Sequence, residues 1–251
     1  MFRLSIVLLA VLFFSACERP MYMGGPETNM LSSLTETGDM QFNGSMSIVD
    51  FQTTWQISGE IAATDFLGIR GHWLGGGDSW SETIEHFGRV RGFGVGVGGF
   101  YQLPGENVRG SSWIGMGEGG VRNVSGEEFI GLNRYNRYYV EQQLSFKVGV
   151  FEFVTVGSLG ISHVYGFELT GQPVTEYNRD WYAFQVNNPR AMYGQIGQGM
   201  LIGADNLRLN FRADWMFGPG RSQVTRLVPI VFSTGLSYRI GSHSGPRGVM
   251  R

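Results

Sequence analysis

This 251-residue chain is poor in charge, in lysine and in cysteine, and each shortage narrows the class of protein. Charged residues make up 16% of the chain, against about 25% in ordinary soluble domains. Lys147 is the only lysine among 19 basic residues. The net charge of −2, with no basic cluster along the sequence, gives no reason to expect a nucleic-acid partner. The single cysteine, Cys17, excludes an intramolecular disulfide.

The chain also lacks an apolar run long enough for a transmembrane helix, which needs about 20 residues. Its longest run covers residues 4–14, follows Arg3 and leads into Phe14-Ser15-Ala16-Cys17, as in a secretory signal peptide. We therefore predict a signal peptide over residues 1–16. The last four residues resemble the lipobox of bacterial lipoproteins. That resemblance implies that Cys17 is acylated and, because Glu18 is not the aspartate that retains lipoproteins, that the outer membrane is the destination.

The flanks of the mature chain have the composition of unstructured segments. Residues 17–38 contain Pro20, Pro26, paired glycines and several Ser and Thr residues, which is typical of a flexible linker. Residues 242–251 are polar and short, and we predict a disordered tail there. The segment between them, residues 39–241, is the predicted folded domain.

The clearest pattern in that domain lies at residues 207–215. Leu207, Leu209, Phe211, Ala213 and Trp215 alternate without exception with strongly polar residues. A period of two predicts a β-strand with one apolar and one charged face. The charged face carries Arg208, Asn210, Arg212 and Asp214.

Nine further segments repeat this pattern, and no segment has a convincing helical period. With residues 207–215, the predicted strands are residues 39–48, 51–62, 66–74, 90–103, 111–122, 135–148, 151–165, 191–203 and 230–240. We therefore predict an all-β fold of about ten strands, with eight as the alternative.

The connections alternate between short and long along the chain. Those after the second, fourth, sixth and eighth strands are short, at residues 63–65, 104–107, 149–150 and 204–206. Those after the third, fifth, seventh and ninth are long, at residues 75–89, 123–134, 166–190 and 218–229. Transmembrane β-barrels have short periplasmic turns and long extracellular loops. An even strand number would place both termini at the periplasmic rim.

Strand length and aromatic placement favour a membrane barrel over a soluble one. The predicted strands run to about 9–15 residues, and a transmembrane β-strand needs about 9–11. Aromatic residues such as Trp73, Trp215 and Tyr238 lie near strand ends, where the membrane interfaces would be. We predict an up-and-down antiparallel transmembrane β-barrel with its apolar face towards lipid. A periplasmic, lipid-anchored soluble barrel, with the apolar face inward, is the alternative.

In this architecture the chain resembles the small outer-membrane β-barrels of the OmpA-transmembrane and OmpX type. The lipobox, linker and meander together resemble barrel lipoproteins of the Bacteroidota. The resemblance covers residues 39–240 and is architectural. It implies localisation in the outer membrane, with an N-terminal lipid anchor and both termini periplasmic.

The polar faces of the strands carry charges of both signs, which a barrel of this size would enclose. They are Glu60, Arg70, Glu118, Glu141, Lys147, Glu152, Arg208, Arg212, Asp214 and Arg239. Enclosed charges must pair, because an unpaired buried charge is very costly. We predict an interior network of ion pairs. The alternative is a narrow polar path for a small solute. The glycine-rich face of the fourth strand fits either, since it could seat bulky side chains or leave space.

Residue types that carry chemistry occur without a convincing arrangement. Ser162 and His163 are neighbours on one strand, so they point to opposite faces and cannot easily form one site. The acidic stretch from Asp78 to His86 has no known metal-ligand spacing. We predict no enzyme activity, no metal and no cofactor. The aromatic residues at 177–184, in the longest loop, would either bind a partner or cover the barrel mouth.

The sequence therefore predicts a non-enzymatic structural or interaction component of the outer membrane. Its expected partners are outer-membrane lipid and a surface or membrane protein that contacts the extracellular loops. The alternatives are a passive pore for small solutes, an outer-membrane enzyme acting on lipid or peptide, and the soluble barrel.

Overall fold

The computed structural model describes residues 31–49, 52–77, 86–104, 107–125, 129–171, 187, 189–204, 206–217 and 230–241. Almost all of these residues lie in β-strands. The predicted signal peptide, Cys17 and the tail at residues 242–251 lie outside this part of the chain. Within it, no helix is long and apolar enough to cross a membrane.

Ten antiparallel strands form one closed barrel, in which each strand pairs with its neighbours along the chain and β1 pairs with β10. The strands are β1 (Met40–Val49), β2 (Gln52–Ala62), β3 (Leu67–Gly77), β4 (His86–Gln102), β5 (Val108–Ser125), β6 (Phe129–Val148), β7 (Phe151–Thr170), β8 (Arg190–Gly203), β9 (Leu207–Phe217) and β10 (Ile230–Ile240). The predicted up-and-down barrel is confirmed, with ten strands and not eight.

The closing seam is formed by the first and last strands in continuous register. Met40 faces Ile240 at the short-turn end of the seam, and Ile48 faces Phe232 near the other end. Closure gives every strand two partners, which removes the edges through which open sheets aggregate. It also puts the start of β1 and the end of β10 at the rim with the short turns, as predicted.

Four adjacent strands are much longer than a membrane requires. β4 to β7 have 17 to 20 residues, whereas a transmembrane β-strand needs about 9–11. The predicted long loop at residues 123–134 is wrong, because β5 runs to Ser125 and β6 starts at Phe129. Polar and apolar residues are mixed in this segment, so no apolar period indicates the strand. These strands project past the rest of the barrel at the long-loop end.

The apolar faces of the strands point outward and the polar faces point inward. On β9, Leu207, Leu209 and Trp215 are 54%, 48% and 65% exposed, whereas Arg208 and Arg212 are both 5% exposed. β10 follows the same rule, with Phe232 and Leu236 outside. A soluble barrel would bury its apolar face, so this orientation contradicts the soluble alternative.

The predicted orientation of β5 is wrong. Trp113 and Val121 lie inside the barrel and are 3% and 2% exposed. Glu118 was expected in the lumen, but it lies on the exposed outer face. The reason is that the inward face consists largely of glycine between these two residues. Without side chains there, the alternation that defines the faces is lost.

Candidate functional site in the barrel lumen

An apolar cluster closes the lumen towards the long-loop end. Its members come from six strands, and all are at most 6% exposed. They are Leu74, Val90, Val121, Tyr135, Val164 and Val231. Charged and polar side chains fill the middle of the barrel below this layer.

Residues 31–38 close the lumen at the short-turn end. Leu31 packs in a buried cluster with Val154, Val156 and Leu201. Leu34 belongs to a second cluster that includes Phe100. The expectation of a flexible linker over residues 17–38 is therefore not met in its last part, where two leucines find apolar pockets between polar neighbours. We call residues 31–38 the N-terminal plug.

Hydrogen bonds to the barrel wall fix the backbone of the N-terminal plug. The Ser33 amide donates to Gln41 Oε1 at 2.8 Å, and Gln41 Nε2 donates to the Leu31 carbonyl at 2.8 Å. The Ser32 amide donates to Gln143 Oε1 at 2.9 Å, on the opposite side of the lumen. These bonds satisfy backbone groups that would otherwise be buried without partners.

Asp39 holds the plug at the rim. Its Oδ2 accepts hydrogen bonds from the Thr35 amide and hydroxyl, both at 2.8 Å, and forms an ion pair with Arg239. Burial raises the pKa of the Asp39 carboxyl, but the hydrogen bonds from Thr35 and Glu36 and the Arg239 guanidinium outweigh burial and hold that pKa below its ordinary value. Asp39 was not among the predicted site residues, although alternation places it on the polar face of the predicted strand at residues 39–48.

Ion pairs connect the strands across the middle and lower lumen. Arg70 Nη1 lies 2.6 Å from Glu141 Oε1, joining β3 to β6. Arg208 pairs with Glu152, joining β9 to β7. Arg212 pairs with Asp214 on its own strand. The side chains are at most 6% exposed in all three pairs, so these charges are enclosed together with their partners.

Aromatic rings complete the network. The Arg70 guanidinium lies 4.6 Å from the centroid of the Trp113 ring and 5.2 Å from that of Tyr139. The guanidinium of Arg137 lies 4.3 Å from the Tyr193 ring centroid and donates a hydrogen bond to the Tyr193 hydroxyl. Cation–π contacts of this kind are strongest where water is excluded. Sequence reasoning missed Arg137, although it shares the inward face of β6 with Glu141.

The ten predicted lumen residues fall into three groups. Seven are buried in the lumen: Glu60, Arg70, Glu141, Glu152, Arg208, Arg212 and Asp214. Two, Lys147 and Arg239, are half-buried at the short-turn rim. Glu118 lies outside the barrel, as described above. Glu60 faces Arg70 in register and is 4% exposed.

Inward glycines seat the large side chains of the lumen. A Cβ added at Gly98 would lie 2.5 Å from the Trp113 ring, and one added at Gly115 or Gly160 would overlap the ring of Tyr139 or Tyr193. On β4, Gly94 likewise lies beneath His72. The glycine face therefore serves to accommodate bulky neighbours, and it does not leave an open path.

Candidate chemistry outside the ion-pair network does not converge. Ser162 is in register with Arg137 and His163 with Asn136, so the pair divides between the two faces of the wall. Among the described residues, no group of three or more His, Cys, Asp or Glu side chains is placed to hold a metal ion. The acidic stretch at residues 78–85 and the aromatic loop at 177–184 lie outside the described residues.

The closed strand order and the apolar exterior define a transmembrane β-barrel. No protein-family model matches the chain, and no curated protein matches it. Solved structures similar to it include the translocator domain of the autotransporter NalP from Neisseria meningitidis. That likeness has a TM-score of 0.45 and 11% identity, and it covers 81% of this chain and 87% of that one.

Two further likenesses are weaker. One is the KdgM porin, with a TM-score of 0.37, 8% identity and coverage of 79% of this chain and 98% of that one. The other is Ail, the attachment invasion locus protein of Yersinia pestis, with a TM-score of 0.31, 11% identity and coverage of 81% and 99%. The assignment above rests on strand pairing and side-chain orientation, and not on these likenesses.

Proposed function

We propose that this chain is an outer-membrane barrel that does not conduct, and that it works as a structural or interaction component. The observation that supports this most directly is the filling of the lumen. An apolar cluster lies at one end, buried ion pairs lie in the middle, and the N-terminal plug lies at the other end. A channel for solutes requires water along the axis, and side chains occupy that space here.

The projecting part of β4 to β7 is the proposed partner surface. A paired sheet holds its shape better than a loop, so it can present side chains at fixed positions beyond the membrane. In the proposed orientation this surface is extracellular, and its partner is a protein of the cell surface or the membrane. The proposed role involves no catalysis, metal or cofactor.

Acylation of Cys17 is part of the same proposal. Residue 31 lies at the short-turn end of the lumen, beside the start of β1 and the end of β10. A lipid on Cys17 would therefore enter the periplasmic leaflet, on the side opposite the partner surface. This lipid would hold the chain that leads into the plug close to the rim.

Conductance across a planar lipid bilayer tests the closed lumen. We expect the purified full chain to insert without producing stable current steps. A variant with Leu31→Ala, Leu34→Ala and Tyr135→Ala serves as the control, because it removes large side chains from the plug and from the upper cluster and is expected to pass ions. Steady steps from the wild-type chain, comparable to those of the triple variant, would contradict the proposal.

A further inference from the structure

Folding brings four arginines from separate parts of the sequence together on the outside of the barrel. Arg89 and Arg91 on β4, Arg122 on β5 and Arg134 on β6 are all exposed. Strand register makes them neighbours: Arg89 faces Arg122, and Arg122 faces Leu132, two positions from Arg134. We call these four residues the arginine patch.

Arg122 stands at the centre of the patch among like charges. Arg89 is directly opposite, and Arg91 and Arg134 are diagonal neighbours. Side chains that face each other across antiparallel strands have Cβ atoms about 4.5–5.5 Å apart, and like charges there are destabilising. No acidic residue occupies a register position opposite or diagonal to Arg122 on β4 or β6. Arg122 therefore lacks an acidic neighbour on these two strands, which favours an external anion beside it.

The patch borders the apolar exterior of the barrel. One register row towards the short-turn end holds Phe93, Glu118 and Asn136, and the next holds Val95, Met116 and Tyr138. Phe93, Val95, Met116 and Tyr138 are each at least half exposed to the surroundings of the barrel. The arginines thus begin where the lipid-facing surface ends. This is the depth of the lipid headgroups.

Two carboxylates flank the patch without dividing it. Glu118 lies on the membrane side, diagonal to Arg91 and Arg134, and accepts a hydrogen bond from the Tyr165 hydroxyl. Glu168 is in register with Leu132, and so lies diagonal to Arg134. The arginines outnumber these two acids, and neither acid lies opposite or diagonal to Arg122.

We propose that the arginine patch binds the phosphorylated headgroups of the lipid leaflet on the long-loop side. The planar guanidinium group binds phosphate through two parallel hydrogen bonds. The aliphatic part of the arginine side chain can pack along the apolar exterior of the barrel. A basic residue near an anionic membrane contributes about fivefold to binding. The bound phosphates would offset the repulsion around Arg122 and fix the height and rotation of the barrel in the membrane.

Retention of lipid by the purified full chain tests this proposal. The chain in detergent is incubated with phosphatidate or with phosphatidylcholine of the same acyl chains, and bound lipid is counted by native mass spectrometry. We expect at least about tenfold preference for phosphatidate. The variant Arg89→Gln, Arg91→Gln, Arg122→Gln, Arg134→Gln is expected to lose this preference. The corresponding four Arg→Lys changes are expected to retain most of it.

Arg190→Gln is the matched control, since it removes an exposed arginine of β8 outside the patch, and we expect it to keep the preference. Heat-modifiable gel mobility confirms that each variant is folded. Equal retention of the two lipids by the wild-type chain would overturn the proposal. Displacement of phosphatidate by an equal concentration of inorganic phosphate would also overturn it, because the site would then bind the free anion.

Discussion

At the scale of single residues, the buried ion pairs of the lumen give the first prediction. Arg208→Met leaves the Glu152 carboxylate buried without its charged partner. We expect this variant to lose about 3–5 kcal/mol in the free energy of unfolding, measured by urea titration in lipid vesicles. The double variant Arg208→Met, Glu152→Met removes both charges and should be less costly. A single variant as stable as the wild type would show that the pair does not contribute.

The inward glycines that lie beneath large aromatic side chains give a second prediction at the scale of single residues. Gly160→Val places a side chain against the Tyr193 ring, where there is no room. Overpacking of this kind costs about 1–3 kcal/mol, and the same urea titration should detect the loss. Gly157→Val, on the same strand, is the control, because nothing lies within 4 Å of a Cβ at that position. If both variants lose the same free energy of unfolding, the loss comes from a change in strand propensity and not from overlap with the Tyr193 ring.

Where apolar and polar residues alternate along a whole strand, the sequence alone indicates which side chains face the lumen. β9 is predicted residue by residue, because every position carries an unambiguous side chain. Pairing is harder to predict: Arg212 finds Asp214 on its own strand, whereas Arg208 reaches Glu152 two strands away. The arginine patch is invisible along the chain, since only strand register makes its members neighbours.

The N-terminal plug is the element whose role is most open to test. Leu34→Ala should leave a cavity beside Phe100 and Trp113 and cost about 2–5 kcal/mol in the free energy of unfolding. Leu236→Ala is the control, because Leu236 points outward and is 54% exposed. If Leu34→Ala is no more destabilising than Leu236→Ala, residues 31–38 do not pack stably in the lumen.

Attachment of the plug should weaken in acid. The pKa of Asp39 is lower in the folded chain than in the unfolded one, where the pKa of an aspartate is about 3.9. Its contribution is therefore complete above that value and is lost as pH falls through the lower, folded pKa. Urea stability measured below about pH 5 should fall more steeply for the wild type than for Asp39→Asn. Parallel pH profiles would contradict this role.

Elements were predictable where one face was apolar and the other polar over the whole strand. That holds for β1 to β3, β9 and β10, whose predicted and observed bounds differ by at most three residues. It fails at the upper ends of β5 and β6, where polar and apolar residues are mixed along the strand and no period of two remains. The sequence gives little indication that the N-terminal plug is ordered, because Leu31 and Leu34 lie among polar residues and show no helical or strand period.

For the whole molecule, the central claim is a barrel with lipid outside and no continuous water inside. The two halves of this claim are separable, because an apolar exterior is compatible with an open or a closed lumen. The exterior follows from side-chain orientation on every strand, whereas the closed state depends on the plug, the ion pairs and the upper cluster acting together. A direct test must therefore probe both faces of one strand.

Thiol accessibility along β10 provides that test. Single cysteines are introduced into a Cys17→Ser background at Ser233 and Ser237, which face the lumen, and at Thr234 and Leu236, which face outward. Each variant, in lipid vesicles, is treated with a charged water-soluble thiol reagent or with a lipid-soluble maleimide. We predict that the outward positions react only with the maleimide and that the lumen positions react with neither. Rapid reaction of Ser233→Cys or Ser237→Cys with the water-soluble reagent would contradict the closed lumen, and the same result at Thr234→Cys or Leu236→Cys would contradict the membrane-facing exterior.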